Sequence, residues 1–203
     1  MKIDIVIENL KSMMKERGDI VDGLEDIDSK KEMFFQDKDV LCFETSTTII
    51  VFALTKNLRS LFLKDIKNYN TESFDEKYSK KQNIILVVND DVFSSQIKKQ
   101  MKDFDELLQK HNRTFQYFHV KNLLYDPTKH KLVPKHVKLT SEEVLEMMEK
   151  YILQNKSQLP YILQDDAIAR WIGLRPGDVV RIERYNNNSG LSYYYRVCTF
   201  AKM

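Results

Sequence analysis

Apolar positions recur along this chain in two rhythms. Between Ile3 and Lys15 they fall at Ile5, Ile7, Leu10, Met13 and Met14, with Glu8, Lys11 and Lys15 between them, which predicts an amphipathic helix stopped near Gly18. Residues 21–40 are charged and weakly patterned and predict a loop with a short helix. Thr47–Leu54 is a continuous β-branched run that suits a strand buried on both faces. Leu58–Tyr69 returns to helical spacing through Leu58, Leu61, Phe62 and Ile66, and residues 70–82 read as polar connection. Asn83–Val88 is a second buried strand, and Val92–His111 a long helix presenting Ile97, Met101, Phe104 and Leu107 or Leu108. Thr114–Val120 is a third strand. Strand, helix, strand, helix, strand at this spacing predicts an α/β domain with a central, mainly parallel sheet and right-handed crossovers, an architecture shared by many unrelated folds.

The rhythm changes after Asp126-Pro127-Thr128. All four prolines lie beyond residue 126, as do three of the five glycines. Proline fixes φ and glycine permits φ > 0, so this stretch is cut into short, sharply turned elements. Two domains are expected, 1–127 and 128–203, the second a small α+β unit ending in a β-hairpin. Thr140 opens a helix with a Thr-x-x-Glu capping box closed by Glu143, and Val144, Leu145, Met148 and Ile152 are assigned to its buried face. Ser157 is expected to cap a short turn through Leu159-Pro160. Asp165 or Asp166 caps a second short helix through Trp171, which Gly173 ends. Pro176-Gly177-Asp178 turns into a strand over Val179–Tyr185, the loop 186–190 follows, and Leu191–Phe200 returns as its partner.

Charge narrows the field of functions. Lys+Arg total 32 and Asp+Glu 30, for a net +2. Residues 128–203 hold 12 basic and 8 acidic side chains, leaving 20 and 22 for residues 1–127, so the halves carry +4 and −2. Neither has the basic excess of a self-sufficient nucleic-acid binder, and weak, salt-sensitive DNA binding is the most to expect. Cys42 and Cys198 lie far apart without Cys-x-x-Cys spacing, which argues against a zinc site or a disulfide framework and for reduced thiols in an intracellular protein. The first fifteen residues mix apolar and charged positions unlike a signal peptide, and no apolar run approaches a membrane span. Lysine outnumbers arginine threefold, a usage that suggests an A+T-rich genome.

The text after residue 130 resembles a known family. Leu132-Val133-Pro134-Lys135-His136, Ser157-Gln158-Leu159-Pro160, the block from Asp165 to Ile182 (Asp-Asp-Ala-Ile-Ala-Arg-Trp-Ile-Gly-Leu-Arg-Pro-Gly-Asp-Val-Val-Arg-Ile) and the strand from Ser192 to Val197 with Arg196 occur in order at family-like spacing. They resemble the C-terminal domain of the fifth subunit of eukaryotic DNA-directed RNA polymerases, whose counterpart in archaeal polymerases consists of that domain alone. The resemblance covers about 70 residues, and the N-terminal half is placed only by position and by its α/β pattern. It implies a noncatalytic subunit whose C-terminal domain docks on the largest polymerase subunit, beside neighbouring small subunits. It implies an N-terminal domain that forms part of the jaw near downstream DNA, met only within the complex. The residues that carry the resemblance and are candidates for partner binding are Pro134, Lys135, His136, Gly173, Arg175, Pro176, Gly177 and Arg196. No DNA-facing residue is assigned, and no membrane, small-molecule ligand or cofactor is implied. A retained C-terminal half beside a divergent N-terminal half fits a protist protein acting in the nucleus. It also fits a large DNA virus, with a cytoplasmic viral factory or the virion as its place.

No catalytic residue is assigned. Residues 24–172 contain no glycine, which excludes a phosphate-binding glycine loop in the N-terminal sheet. Asp90 and Asp91 follow the second strand, where open α/β sheets place ligands, but an exposed turn capping the next helix is the plainer reading. Glu44 before the first strand and Lys64 after it lack the spacing of an acidic nuclease site. His111 suits a helix C-terminus, His119 a packed position on a strand, and His130 and His136 make a poor metal pair. Cys198 reads as a small buried hydrophobe and Trp171 as a core anchor. Lys138, Arg181 and Arg184 add scattered positive charge, and the two arginines, three apart on a strand, should face opposite ways. Two other readings stay open: a stand-alone nuclease or nucleotide-processing enzyme built on the N-terminal sheet, and a polymerase-derived interaction module acting alone.

Overall fold

The computed structural model describes residues 3–21, 40–89, 92–188 and 190–200. The helix expected within 21–40 and the pair Asp90 and Asp91 lie outside the described residues. The chain divides between Tyr125 and Asp126 into two compact units.

The first unit is an α/β layer structure. Helix α1 (Ile3–Glu16) buries Ile3, Val6, Ile7, Leu10, Met13 and Met14 on one stripe. Ile5, expected on that stripe, faces outward, because the buried set runs in steps of three and four from Ile3 and skips position 5. Strands β1 (Leu41–Glu44), β2 (Thr48–Ala53), β3 (Asn83–Val88) and β4 (Thr114–His119) form one sheet in the order β1-β2-β3-β4. The pairs β2–β3 and β3–β4 are parallel, and β1 adds an antiparallel edge that periodicity did not predict. The two central strands are buried on both faces, which is why they read as unbroken apolar runs.

Helices α2 (Lys56–Lys67), α3 (Thr71–Tyr78) and α4 (Ser95–Gln109) cover one face. Ile49, Val51, Ile84 and Leu86 of the sheet pack there against Leu58, Phe62, Phe74, Met101, Phe104 and Leu108. Phe62 is fully buried and meets the rings of Phe74, Tyr78 and Phe115 at 5.2 to 6.3 Å, so truncating it to alanine would cost about 3–5 kcal/mol. Leu61 points to solvent, because Leu58, Phe62 and Ile66 already define the stripe. Residues 71–78, expected as connection, form a helix capped by Asn70, whose side chain accepts from the Glu72 amide. Helix α4 begins at Ser95, three residues later than its periodicity suggested, because Ser94 caps it and Val92 is fully solvated. The opposite face of the sheet holds α1, tied by Arg17 donating to Gln116 at 2.9 Å. Asn9 of α1 donates to the Leu123 carbonyl of the short helix α5 (Val120–Leu123) at 2.8 Å.

The second unit is a small mixed sheet in the order β5-β7-β8-β6, from β5 (Lys135–Lys138), β6 (Tyr161–Leu163), β7 (Val179–Asn186) and β8 (Gly190–Thr199). β7 and β8 form the terminal hairpin, β5 joins β7 antiparallel, and β6 joins β8 parallel. Helix α6 (Ser141–Lys150) packs Val144 and Met147 with Leu139, Leu159, Val179 and Val197. Helix α7 (Ala167–Trp171) contributes to a second cluster of Ala169, Leu174, Ile162, Val180 and Cys198. Val179 and Val180 alternate sides, so the sheet is clad on both faces by one short helix each. The capping box of Thr140 and Glu143 is formed as expected. Leu145 and Ile152 are exposed, against expectation, because α6 turns only the Val144, Met147 and Met148 edge inward and ends before Ile152. The cap of the turn over 156–158 is Asn155 with Gln158, not Ser157. Asp166 caps α7, accepting from the amides of Ile168 and Ala169.

Candidate partner interface

The two glycines that carry the resemblance sit where the backbone demands them. Gly173 has φ +69° and follows α7; its amide donates to the Arg170 carbonyl at 3.3 Å, and the Leu174 amide donates to Ala169 at 2.8 Å. This paired pattern is the helix-ending motif that needs a left-handed residue, and it drives Leu174 fully into the core. Three residues on, Pro176 and Gly177 are the central positions of a tight turn closed by the Asp178 amide donating to Arg175 at 2.9 Å, with Gly177 at φ +91°. Proline then glycine in those places is what a type II turn selects. The Asp178 carboxylate accepts from the Arg175 amide at 2.8 Å and pairs with Lys138 at 2.6 Å. The Gly177 amide donates to Cys198, and the Cys198 amide donates to Asp178. The turn is thereby fastened to both neighbouring strands, with the Arg175 side chain half-buried beside it.

Sheet register sorts the remaining candidates onto two faces. Lys135 stands opposite Glu183 and pairs with it at 3.5 Å, on the face that also carries Arg181, Tyr193 and Tyr195. His136 stands opposite Ile182, on the other face, which carries Tyr194, Arg184 and Arg196. Arg181 and Arg184 do face opposite ways, as their spacing required. The candidates therefore form no single contiguous cluster: His136 and Arg196 share a face, Lys135 lies on the reverse, and Gly173 to Gly177 shape the turn between α7 and β7.

His136 is half-buried, and its Nδ1 lies 2.7 Å from the Pro134 carbonyl. A carbonyl can only accept, so that nitrogen carries the proton. Burial pushes the His136 pKa down; the Pro134 carbonyl and Asp166 oppose this, while Arg196 and Arg184 reinforce it. The ring is thus neutral at neutral pH, and the positive charge on this face belongs to the arginines. Arg196 donates to the Tyr161 carbonyl at 3.3 Å, and the Arg184 guanidinium lies 4.4 Å over the ring of Tyr194. On the reverse face Arg181 lies 5.5 Å over Tyr193. Tyr185, Leu191, Tyr193 and Tyr194 are about half-exposed or more, so the outer hairpin is an aromatic and basic surface on both sides. Composition alone concealed it. Its signal was the run Leu191-Ser-Tyr-Tyr-Tyr-Arg read with period two against Arg181 and Arg184.

The N-terminal candidates lie in structural contacts. Glu44 ends β1, accepts from the Ser79 hydroxyl and pairs with Lys81 at 3.5 Å, while Lys64 lies on α2. His119 is fixed against the Asn89 carbonyl at 3.0 Å with its ring 4.8 Å from Phe93. Cys42 and Cys198 are held as thiols, since burial pushes their pKa values to about 12 and about 11. An open groove of about 540 Å³ between α2 and α4 is bordered by Lys67, Lys99, Gln100 and Asp103. Among the described residues no group of three or more His, Cys, Asp or Glu is placed to hold a metal ion, and no helix is long and apolar enough to cross a membrane.

Residues 125–198 match the family described as RNA polymerase Rpb5, C-terminal domain. The chain is 42% identical over 93 residues to the rpabc1 subunit of DNA-directed RNA polymerases I, II and III of Dictyostelium discoideum, a stretch covering 46% of this chain and 47% of that one. It is 43% identical over 82 residues to the RPABC1 subunits of Caenorhabditis briggsae and Caenorhabditis elegans, covering 40% of this chain and 38% of each relative. The similarity thus spans less than half the length of each of these relatives. Capped at Asp126 and closed by the β7–β8 hairpin, the second unit of this chain is the part that is similar to the RNA polymerase Rpb5 C-terminal domain.

Proposed function

We propose that this chain is a noncatalytic subunit of a multisubunit DNA-directed RNA polymerase. The match over 125–198, reinforced by the relatives' identity of more than 40%, carries the reading. The second unit is the assembly module and docks on the largest subunit through Pro134, Lys135, His136, Arg175 and Arg196, with Gly173, Pro176 and Gly177 holding the docking turn in shape. The first unit forms part of the jaw near downstream DNA, reached only within the complex. Two features support this division of labour. The C-terminal sheet exposes basic and aromatic side chains suited to a protein partner, and the N-terminal unit's charge is close to balanced.

The test is purification of the tagged full chain from the cells that make it, with identification of what accompanies it. The largest polymerase subunit should copurify, and Lys135→Glu with Arg175→Glu should weaken recovery while Trp171 fluorescence stays native. Metal-dependent cleavage of DNA or RNA by the pure chain, lost in Asp90→Ala with Asp91→Ala, would establish the enzyme reading instead.

A further inference from the structure

The β7–β8 hairpin outruns the sheet that supports it. β5 pairs with β7 only from Val180 to Glu183, and β6 pairs with β8 only from Val197 to Thr199. Among the described residues, β8 therefore has a strand partner on one side alone from Gly190 to Arg196. The direction of its amides can be read from two bonds. The Val197 amide donates to Pro160 at 2.9 Å, on the β6 side, and the Cys198 amide donates to Asp178 at 2.8 Å, on the β7 side. Amides alternate along a strand, so Leu191, Tyr193 and Tyr195 turn both N–H and C=O toward the β6 side, where the described residues supply no strand. Three donors and three acceptors in ladder register are left at an edge beside exposed aromatic side chains.

Natural sheets blunt such an edge with charge, proline or a bulge. This one carries none of these between Leu191 and Tyr195. An added strand would lie beside Leu191, Tyr193 and Tyr195 on one face and beside Tyr194 and Arg196 on the other. The first row is apolar and aromatic, and the Arg181 guanidinium over Tyr193 is neutralised on the same face by Glu183 at 3.2 Å. The second is positive, since Arg196 is reinforced by Arg184 over Tyr194 while His136 is neutral. Backbone pairing with alternating side-chain pockets is how an extended peptide is recognised at a sheet edge.

We propose that β8 of the second unit receives an extended segment of its polymerase partner as an added strand, collinear with β6. That segment alternates apolar side chains over the Tyr193 face with acidic side chains toward Arg196. This rests on the docking reading above and specifies how docking is made. A nucleic-acid strand or a second copy of this chain is a competing occupant, and the test separates them.

Two arms, both on the full chain, decide it. In the first, Tyr193→Ala keeps the outward amide and Tyr193→Pro removes it without touching a hairpin bond, a replacement tolerated at an edge. Copurification of the polymerase should fall at least about tenfold further for the proline variant than for the alanine variant. Equal recovery of polymerase by the two overturns strand addition and leaves docking standing. If the wild-type chain recovers no polymerase, docking itself falls and the second arm decides alone. There the probe is an acetylated peptide of alternating glutamate and valine. It should slow amide exchange at Leu191, Tyr193 and Tyr195 by about tenfold or more, with no slowing by the lysine–valine counterpart. No protection, protection by oligothymidylate instead, or protection that rises with protein concentration in the absence of peptide overturns the proposal.

Discussion

Ile152 occupies a position that suits glycine, and exchanging it should make the second unit more stable. It follows α6 at φ +55°, its amide donates to Glu149 at 3.1 Å, and the Leu153 amide donates to Met148 at 2.8 Å. This is the same helix ending that Gly173 provides after α7. An L-residue in the left-handed region costs about 1–2 kcal/mol, with a β-branched side chain at the upper end. Ile152 is 88% exposed, so its removal forfeits little buried surface. Glycine's greater loss of backbone freedom returns about 0.5–1 kcal/mol of that relief, and the expected net gain for Ile152→Gly is about 1 kcal/mol. In a unit of this size, that raises the melting midpoint by about 4–8 °C. The assay is thermal unfolding followed by fluorescence of Trp171, the only tryptophan, which is buried in the same unit. Ile152→Ala keeps a left-handed L-residue and should recover less than half the gain, while Gly173→Ala should lose about 1 kcal/mol or more. An unchanged or lowered midpoint for Ile152→Gly would refute the reasoning.

Two further outcomes are expected. The Asp19 carboxylate works against burial, but hydrogen bonds from the hydroxyls of Ser46, Thr45 and Thr47 and from the Thr47 amide outweigh it and hold its pKa at about 2 rather than 3.8. A depressed carboxylate contributes stability above its unfolded pKa and loses it as pH falls through the folded value. Wild type should therefore exceed Asp19→Ala by about 2 kcal/mol at pH 6 and by little near pH 2, read from amide exchange of Ile50 and Val51 in β2; a gap that ignores pH contradicts it. The raised thiol pKa values of Cys42 and Cys198 predict that iodoacetamide at pH 7.5 modifies the folded chain far more slowly than the chain in urea, and comparable rates by mass spectrometry would count against this.

The sequence was legible where burial was two-sided or a cap was strong. Thr48–Ala53 and Asn83–Val88 announced themselves because both faces are apolar, and α6 because Thr140 and Glu143 cap each other. It was illegible where an element leans on distant partners. β1 is four residues long and exists because Leu41 to Glu44 finds Phe52 to Ile49. α3 has only Phe74 and Tyr78 to bury, one turn apart. β5 and β6 are edge strands of four and three residues, paired to segments far along the chain. The candidate interface was legible as text but not as geometry. Gly173 and Gly177 stood out because φ > 0 restricts them, so their prominence reflects backbone shape before contact. Lys135 and His136 look like one motif in sequence, yet neighbours on a strand point apart.

The strand order β5-β7-β8-β6 also governs when the second unit can fold. Both edge strands precede the hairpin in the chain, and both central strands belong to it. As the polypeptide leaves the ribosome, β5, α6, β6 and α7 therefore emerge with no sheet to join. Leu139, Val144, Met147, Ile162 and Leu174 stay solvated until Val179 to Thr199 has been made. The hairpin closes locally, and the earlier segments then condense onto it through contacts of long sequence separation. Until that moment the unit is a string of unprotected apolar segments open to chaperones and to misassembly, and the last strand to appear is the one that ends the exposure.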